Sequence, residues 1–368
     1  MAMALREPRD AHSAAALSYF QPPKQTSPSP IDMRAAELTA EDERYLALLE
    51  DQRDHHVRLR PLLSGFRVLA LFAYEDLEGN TDKFVIGSNV ECANIGGALC
   101  AERSCIAQLQ LLPAKRVRKV YIVSDADECL TPGTLCREFL SSSALFSPDT
   151  PFISRARCCR PCVTSLAELY PFPSIYDRVP RADVLTHGCQ FCSQALGHTN
   201  SSTNDDEDKQ REFVEAQLAL LASDEEREAY RAALEVTALD ARDELFPLRY
   251  AAAVRFSDGE LRAVWQHKTL EYGSSLDPVS KLIPFIEAKQ RESQNEVRPV
   301  FMLQVDQFGI LHAPTARARA YFFEFAFRDL ELPVHDAAGQ LRRVKMGELV
   351  AESPECIAAA TAAAPTSA

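Results

Sequence analysis

Gly87-Ser-Asn-Val-Glu-Cys-Ala-Asn-Ile-Gly-Gly-Ala-Leu-Cys-Ala-Glu-Arg-Ser104, followed about thirty residues on by Thr131-Pro-Gly-Thr-Leu-Cys-Arg-Glu-Phe139, is the stretch on which the fold turns. Ala98 to Leu112 reads as a helix, and Leu135 to Phe139 as the start of another. Upstream, the apolar run Phe66-Arg-Val-Leu-Ala-Leu-Phe-Ala-Tyr74, the turn Glu78-Gly-Asn80 and the segment Lys83 to Val90 predict a hairpin. Further upstream, Thr39-Ala-Glu-Asp42 has the form of a capping box, with Tyr45, Leu46, Leu48 and Leu49 at helical spacing behind it. Lys119-Val-Tyr-Ile-Val123 supplies a third strand between the two cysteine-bearing pieces. Strand pair, helix, strand, helix is an α/β layered unit.

The order N-x-E, then C-A-E-R, then a distant P-x-x-x-C-R resembles the cytidine deaminase family, whose pattern is N-x-E, C-A-E-R and P-C-x-x-C-R. The resemblance implies a three-layer α/β/α sandwich in which two helix N-termini converge on one Zn²⁺, their positive ends helping to hold thiolates ionised. It makes Cys100 and Cys136 metal ligands and Glu102 the group that shuttles a proton from the activated water to the ring and the leaving ammonia. It assigns Asn89 and Glu91 to the ribose hydroxyls, Phe66 to packing against the nucleoside and the Ala101 backbone to the base edge. Taken singly, each residue has an ordinary explanation: an exposed helix pair for Glu102 and Arg103, a small buried apolar side chain for Cys100.

The chain departs from that pattern at one position. Where the family has the first cysteine of P-C-x-x-C, this chain has Gly133, which offers no ligand atom. Catalytic zinc normally has three protein ligands. Cys129, three residues before Pro132, is the nearest replacement ligand, set against its reading as a buried apolar cysteine.

The second half repeats the first. Phe246-Pro-Leu-Arg-Tyr-Ala-Ala-Ala-Val254, the turn Ser257-Asp-Gly259 and a strand to His267 repeat the hairpin. Glu271 precedes Ser280 by the nine residues that separate Glu91 from Cys100, and 311–324 repeats 130–139. On this register Cys100 corresponds to Ser280, Glu102 to Leu282 and Cys136 to Ala318, so the copy keeps no ligand and no proton carrier. This resembles the two-domain cytidine deaminases, in which an inactive copy follows the catalytic domain, and the resemblance implies a homodimer.

Between the halves, Cys158-Cys159-Arg-Pro-Cys162 and Cys189-Gln-Phe-Cys192 present two C-x-x-C knuckles. Cys159, Cys162, Cys189 and Cys192 are candidates for a structural Zn²⁺, against an unmetallated thiol cluster. The reading divides the chain into a disordered arm (1–35), a catalytic-type domain (36–150), a cysteine-rich insertion (151–200), an acidic helical linker (201–243), a degenerate domain (244–335) and a tail (336–368).

Composition narrows the partners. Forty basic against 53 acidic residues give a net charge of −13 across 368 residues, which opposes docking on a polyphosphate backbone. A small molecule, a pyrimidine nucleoside by the resemblance, fits better than a nucleic acid. No apolar run approaches the roughly 18 residues of a membrane span. Eleven cysteines without a signal peptide read as thiols or metal ligands in a reducing, cytoplasmic setting. The leading expectation is zinc-dependent deamination of cytidine or deoxycytidine in pyrimidine salvage. The alternative, prompted by Gly133, is an inactive deaminase-like binding or assembly subunit.

Overall fold

The computed structural model describes residues 34–35, 37–57, 61, 64–92, 97–157, 160–198, 206–325 and 327–350. They belong to the unit Ile31–Ala368. The capping box at Thr39 forms: the Asp42 amide donates to Thr39 Oγ1 at 3.2 Å and the Thr39 amide to an Asp42 carboxylate oxygen at 2.9 Å, which starts α1 (Ala40–Asp51). The first sheet holds β1 (Arg34–Ala35), β2 (Val68–Asp76), β3 (Lys83–Ser88), β4 (Ala114–Ser124), β5 (Pro151–Arg155) and β6 (Cys162–Ser165), in the order β1-β6-β5-β4-β2-β3. Only β4 and β5 pair in parallel. Strand β2 is buried on both faces, which is why its sequence is a continuous apolar run rather than an alternating one. Ala70, Phe72 and Tyr74 face α2 (Ala101–Leu109), α3 (Thr134–Ser142) and the short α4 (Leu166–Leu169) through Cys105, Ile106, Leu109, Leu140, Leu166 and Leu169. Leu69, Leu71 and Ala73 face α1 through Tyr45, Leu46 and Leu49. The result is helix, sheet, helix.

The second sheet repeats this plan. Strands β7 (Tyr250–Phe256), β8 (Leu261–Trp265), β9 (Pro299–Asp306), β10 (Glu331–His335) and β11 (Leu341–Lys345) run β11-β10-β9-β7-β8, again with one parallel pair, β9 with β10. Ala252, Val254 and Phe256 pack on α8 (Pro278–Glu292) and α9 (Ala316–Glu324). Ala251 and Ala253 pack on the opposite layer, formed by α6 (Asp206–Leu220) and α7 (Asp224–Val236). The fold is an α/β/α sandwich present twice. Among the described residues no helix is long and apolar enough to cross a membrane.

Three boundaries differ from the sequence expectation. Helices α6 and α7 are not a solvated linker: Leu218, Ala229, Tyr230 and Ala233 are buried against the second sheet, and the many acidic residues of these helices lie on the outer face. The supposed insertion begins with β5 and β6, short strands whose few apolar residues give too little periodicity to stand out. The supposed tail contributes β11 and the buried Met346 and Leu349 to the second core. Residues 1–33 of the expected arm and 351–368 of the tail lie outside the described residues.

Candidate metal centre

Two helix starts are held next to each other. Cys100 is the N-cap of α2, and Gly133 is the N-cap of α3, which puts Cys136 in the first turn. The loop before α2 is pinned by a two-residue bridge in which Val90 and Leu99 exchange amide hydrogen bonds of 2.8 and 2.9 Å. Helix α2 then lies directly on β3 at Gly87, where a Cβ would collide with the Ala101 carbonyl and come within 2.9 Å of the Cys105 nitrogen. Glycine is required there for close approach. The start of α3 is fixed by Arg137, fully buried, which donates to the carbonyls of Pro132 (2.7 Å) and Leu169 (2.9 Å) and to Thr131 Oγ1 (2.9 Å).

These constraints bring Cys100 Sγ, Cys136 Sγ and a Glu102 carboxylate oxygen within 4.8 Å of one another. Cys136 is fully buried and Glu102 is 4% exposed. Burial first, and the neighbouring Cys100 second, push the Glu102 carboxyl up to about 7. The hydrogen bond with Cys100, burial and the adjacent Glu102 push the Cys136 thiol well above the ordinary thiol range. Arg103 donates from Nη2 to the Ala98 carbonyl (2.8 Å) and lies 3.5 Å from Cys100 Sγ, supplying positive charge at the rim. Two thiols and a carboxyl in one dry pocket cannot all ionise together without a cation between them. Two sulfurs suit a soft divalent ion, with the Glu102 carboxyl beside them and no ligand atom at Gly133.

The remaining predicted residues have definite positions. Asn89 accepts the Val68 amide and donates to the Phe66 carbonyl, both at 2.9 Å, so its amide braces the start of β2. Glu91 accepts the amide (2.8 Å) and hydroxyl (2.6 Å) of Ser64. Phe66 is half-buried beside this brace, and Ala101 is fully buried in the first turn of α2.

Cys129 does not join the centre: it donates to the carbonyls of Ser154 (3.3 Å) and Arg160 (3.4 Å) and packs with Ala156 and Cys162, because the loop leaving β4 passes beside the β5–β6 hairpin. The structural-zinc expectation is also corrected. Cys162 sits in that small cluster, whereas Cys189 and Cys192 lie on α5 (Val184–Ala195) and pack with Phe191, Phe213 and Phe308 in the second half. Among the described residues the three do not assemble; a C-x-x-C in a continuous helix is not a knuckle, and Cys192, with its thiol pushed far up by burial, serves as core. Cys159 lies outside the described residues.

Sequence reasoning missed Arg137 and Gly87. The signal available was the repetition of Pro132-x4-Arg137 as Pro314-x4-Arg319, where Arg319 is likewise buried and donates to the Pro314 carbonyl at 2.7 Å.

No family model matches the chain. Among solved structures it is similar to the cytidine deaminase of Burkholderia pseudomallei, 22% identical over 37% of this chain and 99% of that one, with a TM-score of 0.31. It is similar also to the enzyme of Mycobacterium leprae (20% identity, 33% and 92% coverage, TM-score 0.26) and that of Mycobacterium tuberculosis (18% identity, 36% and 98% coverage, TM-score 0.28).

Proposed function

We propose that Cys100 and Cys136 hold Zn²⁺ beside Glu102 and that this centre deaminates cytidine or deoxycytidine, water and the nucleoside giving the uridine product and ammonia. The observation that carries this reading is the convergence of two cysteines from two helix starts on a buried carboxyl poised near 7. Zinc, when bound, supplies a water molecule acidic enough to be activated near neutral pH. Glu102, buried and poised between its two protonation states, takes one proton from the attacking water at its carboxylate oxygen and delivers it to the ring nitrogen, then carries the second, from the new hydroxyl on the ring carbon, to the departing amine. Arg103 and the start of α2 favour the thiolate form of Cys100. In this reading Asn89, Glu91, Phe66 and the Ala101 backbone contact the nucleoside, Glu91 exchanging its Ser64 partner for a ribose hydroxyl.

The test is zinc content per chain measured together with uridine release. The parent is expected to hold zinc and turn over, and Glu102→Gln to keep the zinc while losing about 10²- to 10⁴-fold in turnover. Loss of zinc from Glu102→Gln would make Glu102 a ligand instead of a proton carrier. A parent that releases no uridine would leave the inactive assembly role, which the donorless N-cap Gly133 favours.

The exposed apolar residues Val90, Leu99, Leu135 and Phe139, adjoining the centre in sequence, support assembly into a homodimer. Sedimentation is expected to give twice the 40.9 kDa chain mass, and a monomer would remove this part of the reading. A place in pyrimidine salvage in the cytoplasm completes the proposal.

A further inference from the structure

The second half retains the whole frame of the centre while carrying different side chains. Its helix starts are pinned by the same bridge, His267 with Leu276 in place of Val90 with Leu99. That bridge sets the register: Asp277 stands where Cys100 does and Val279 where Glu102 does, three residues from the positions expected from sequence spacing. The second helix starts at Thr315 in place of Gly133, with Ala318 in place of Cys136. Strand registers pair Ala70 with Ile122 in one half and Ala252 with Gln304 in the other, so Gln304 occupies the position of Ile122. By the same alignment His312 replaces Leu130.

Above these helix starts lies a cavity of about 170 Å³, which Gln304, His312, Thr315 and Asp277 help to line together with Glu138 and Tyr170. Gln304 is only 5% exposed, yet its side-chain oxygen accepts no hydrogen bond among the described residues, and neither does Thr315 Oγ1 engage a partner. A buried acceptor left in this state is rare.

The surrounding groups explain what is missing. His312 Nε2 lies 3.0 Å from an Asp306 carboxylate oxygen, and Asp306 is fixed in turn by the Tyr176 hydroxyl (2.6 Å) and the amides of Phe308 (2.9 Å) and Ile310 (3.0 Å). Glu138 reaches across from α3 and accepts the Tyr170 hydroxyl (2.9 Å) and the Ala316 amide (3.0 Å). The one guanidinium at the lining, Arg319, donates to the carbonyls of Pro314, Pro171 and Phe172. Glu138, Asp277, Gln304 and Thr315 thus bring acceptor oxygens to the space, and the Arg319 guanidinium is spent on backbone carbonyls. Its size is close to that of engineered cavities of about 150 Å³ that admit benzene.

We propose that the cavity over Asp277 and Thr315 is a second binding site, for a single six-membered nitrogen heterocycle carrying N–H donors, an amino-substituted cyclic amidine, whose donors pair with Gln304 Oε1, Thr315 Oγ1 and the flanking carboxylates. The site is independent of metal, because Ala318 replaces the ligand Cys136 and no three donors gather there among the described residues. Replacement of Ile122 by glutamine and of Leu130 by histidine at matched positions is an exchange of chemistry rather than its erosion.

Calorimetric titration of the full chain with 2-aminopyridine tests this, with benzene as the donorless shape control. The parent and Cys100→Ala are expected to bind one equivalent of 2-aminopyridine alike, benzene at least tenfold more weakly, and Gln304→Leu to lose at least tenfold in affinity. Gln304→Glu, which keeps the shape and adds a charged acceptor, is expected to bind more tightly. Thr315→Val supplies a second reading should Gln304→Leu not fold, with a several-fold loss expected. No binding by the parent, equal binding by Gln304→Leu or Thr315→Val, or loss of binding in Cys100→Ala would each overturn the proposal. Since none of these readouts involves uridine release, its failure and that of the deamination reading are separable.

Discussion

The two halves share strand order, helix placement and the buried arginine behind each second helix, but at the helix starts one presents Cys100, Glu102 and Cys136 and the other Asp277, Val279 and Ala318. What was kept is what the fold needs, and what changed is what chemistry needs. Arg137 and Arg319 make the same bond to the carbonyl of a proline five residues back, so this anchor belongs to the architecture. Cys136 and Ala318 fill the same buried position, and only the first can ligate. The sharpest way to break this contrast is metal content. Cys136→Ala is expected to abolish zinc binding and turnover together, whereas Asp277→Ala leaves the zinc content of the chain unchanged; zinc lost from Asp277→Ala would mean that the second half holds metal after all.

The next contrast is structural and should fall equally on both halves. Arg137→Met strands three acceptors inside the first half, and Arg319→Met strands the carbonyls of Pro314, Pro171 and Phe172 in the second. An unpaired buried acceptor costs about 1–3 kcal/mol, so each substitution is expected to lower stability by roughly 3–5 kcal/mol, measured from urea midpoints. Only Arg137→Met should also weaken zinc retention, because only its helix carries a ligand. A loss of less than about 1 kcal/mol in either variant would show that these carbonyls find other donors.

Much of this was legible in the sequence, and the rest was hidden for identifiable reasons. The capping box at Thr39, the apolar run of β2 and the turn at Glu78 to Asn80 are local signals, and each element formed where its residues predicted it. The duplication could be read from the repeated hairpin, but its register could not. Nine residues from Glu271 to Ser280 match the spacing in the first half, yet the backbone bridge aligns Leu276 with Leu99 and so shifts the copy by three residues. Spacing along the chain does not see a pairing between chain segments. Cys129 and the C-x-x-C at 189–192 misled for the opposite reason: thiols in close sequence signal metal only when a turn brings them together, and here Cys189 and Cys192 sit on one helix among aromatic rings. That helix α7 packs into the core was hidden because its acidic residues dominate the composition while Ala229, Tyr230 and Ala233 alone mark the buried stripe.

The smallest expected difference between the halves is their response to acid, and it follows from which groups each buries. In the second half, His335 Nδ1 accepts the Leu311 amide at 2.9 Å and Nε2 lies 2.9 Å from Gln217 Oε1, so both ring nitrogens are spent in the neutral form. Burial, and then the neighbouring His312, lower its pKa to about 4, although Asp306 and Asp336 act the other way. An unfolded chain takes up a proton near 6.5 that the folded chain refuses until about 4, so stability falls as pH falls between those values, by about 3 kcal/mol in all. In the first half the comparable group is Asp42. Burial would raise it, but Lys119 (2.7 Å), Thr39 and Tyr121 (2.7 Å) hold it down to about 2, so its contribution is complete above 3.8 and is lost only as pH falls toward 2. The second half should therefore loosen first. Trp265, the single tryptophan of the chain, lies on β8 and reports that half alone. Its emission in moderate urea is expected to shift between pH 6.5 and 4 while first-half amides remain protected from hydrogen exchange, and His335→Gln should flatten that part of the curve. Simultaneous opening of both halves in the parent would show that the duplicated sandwiches unfold as one unit.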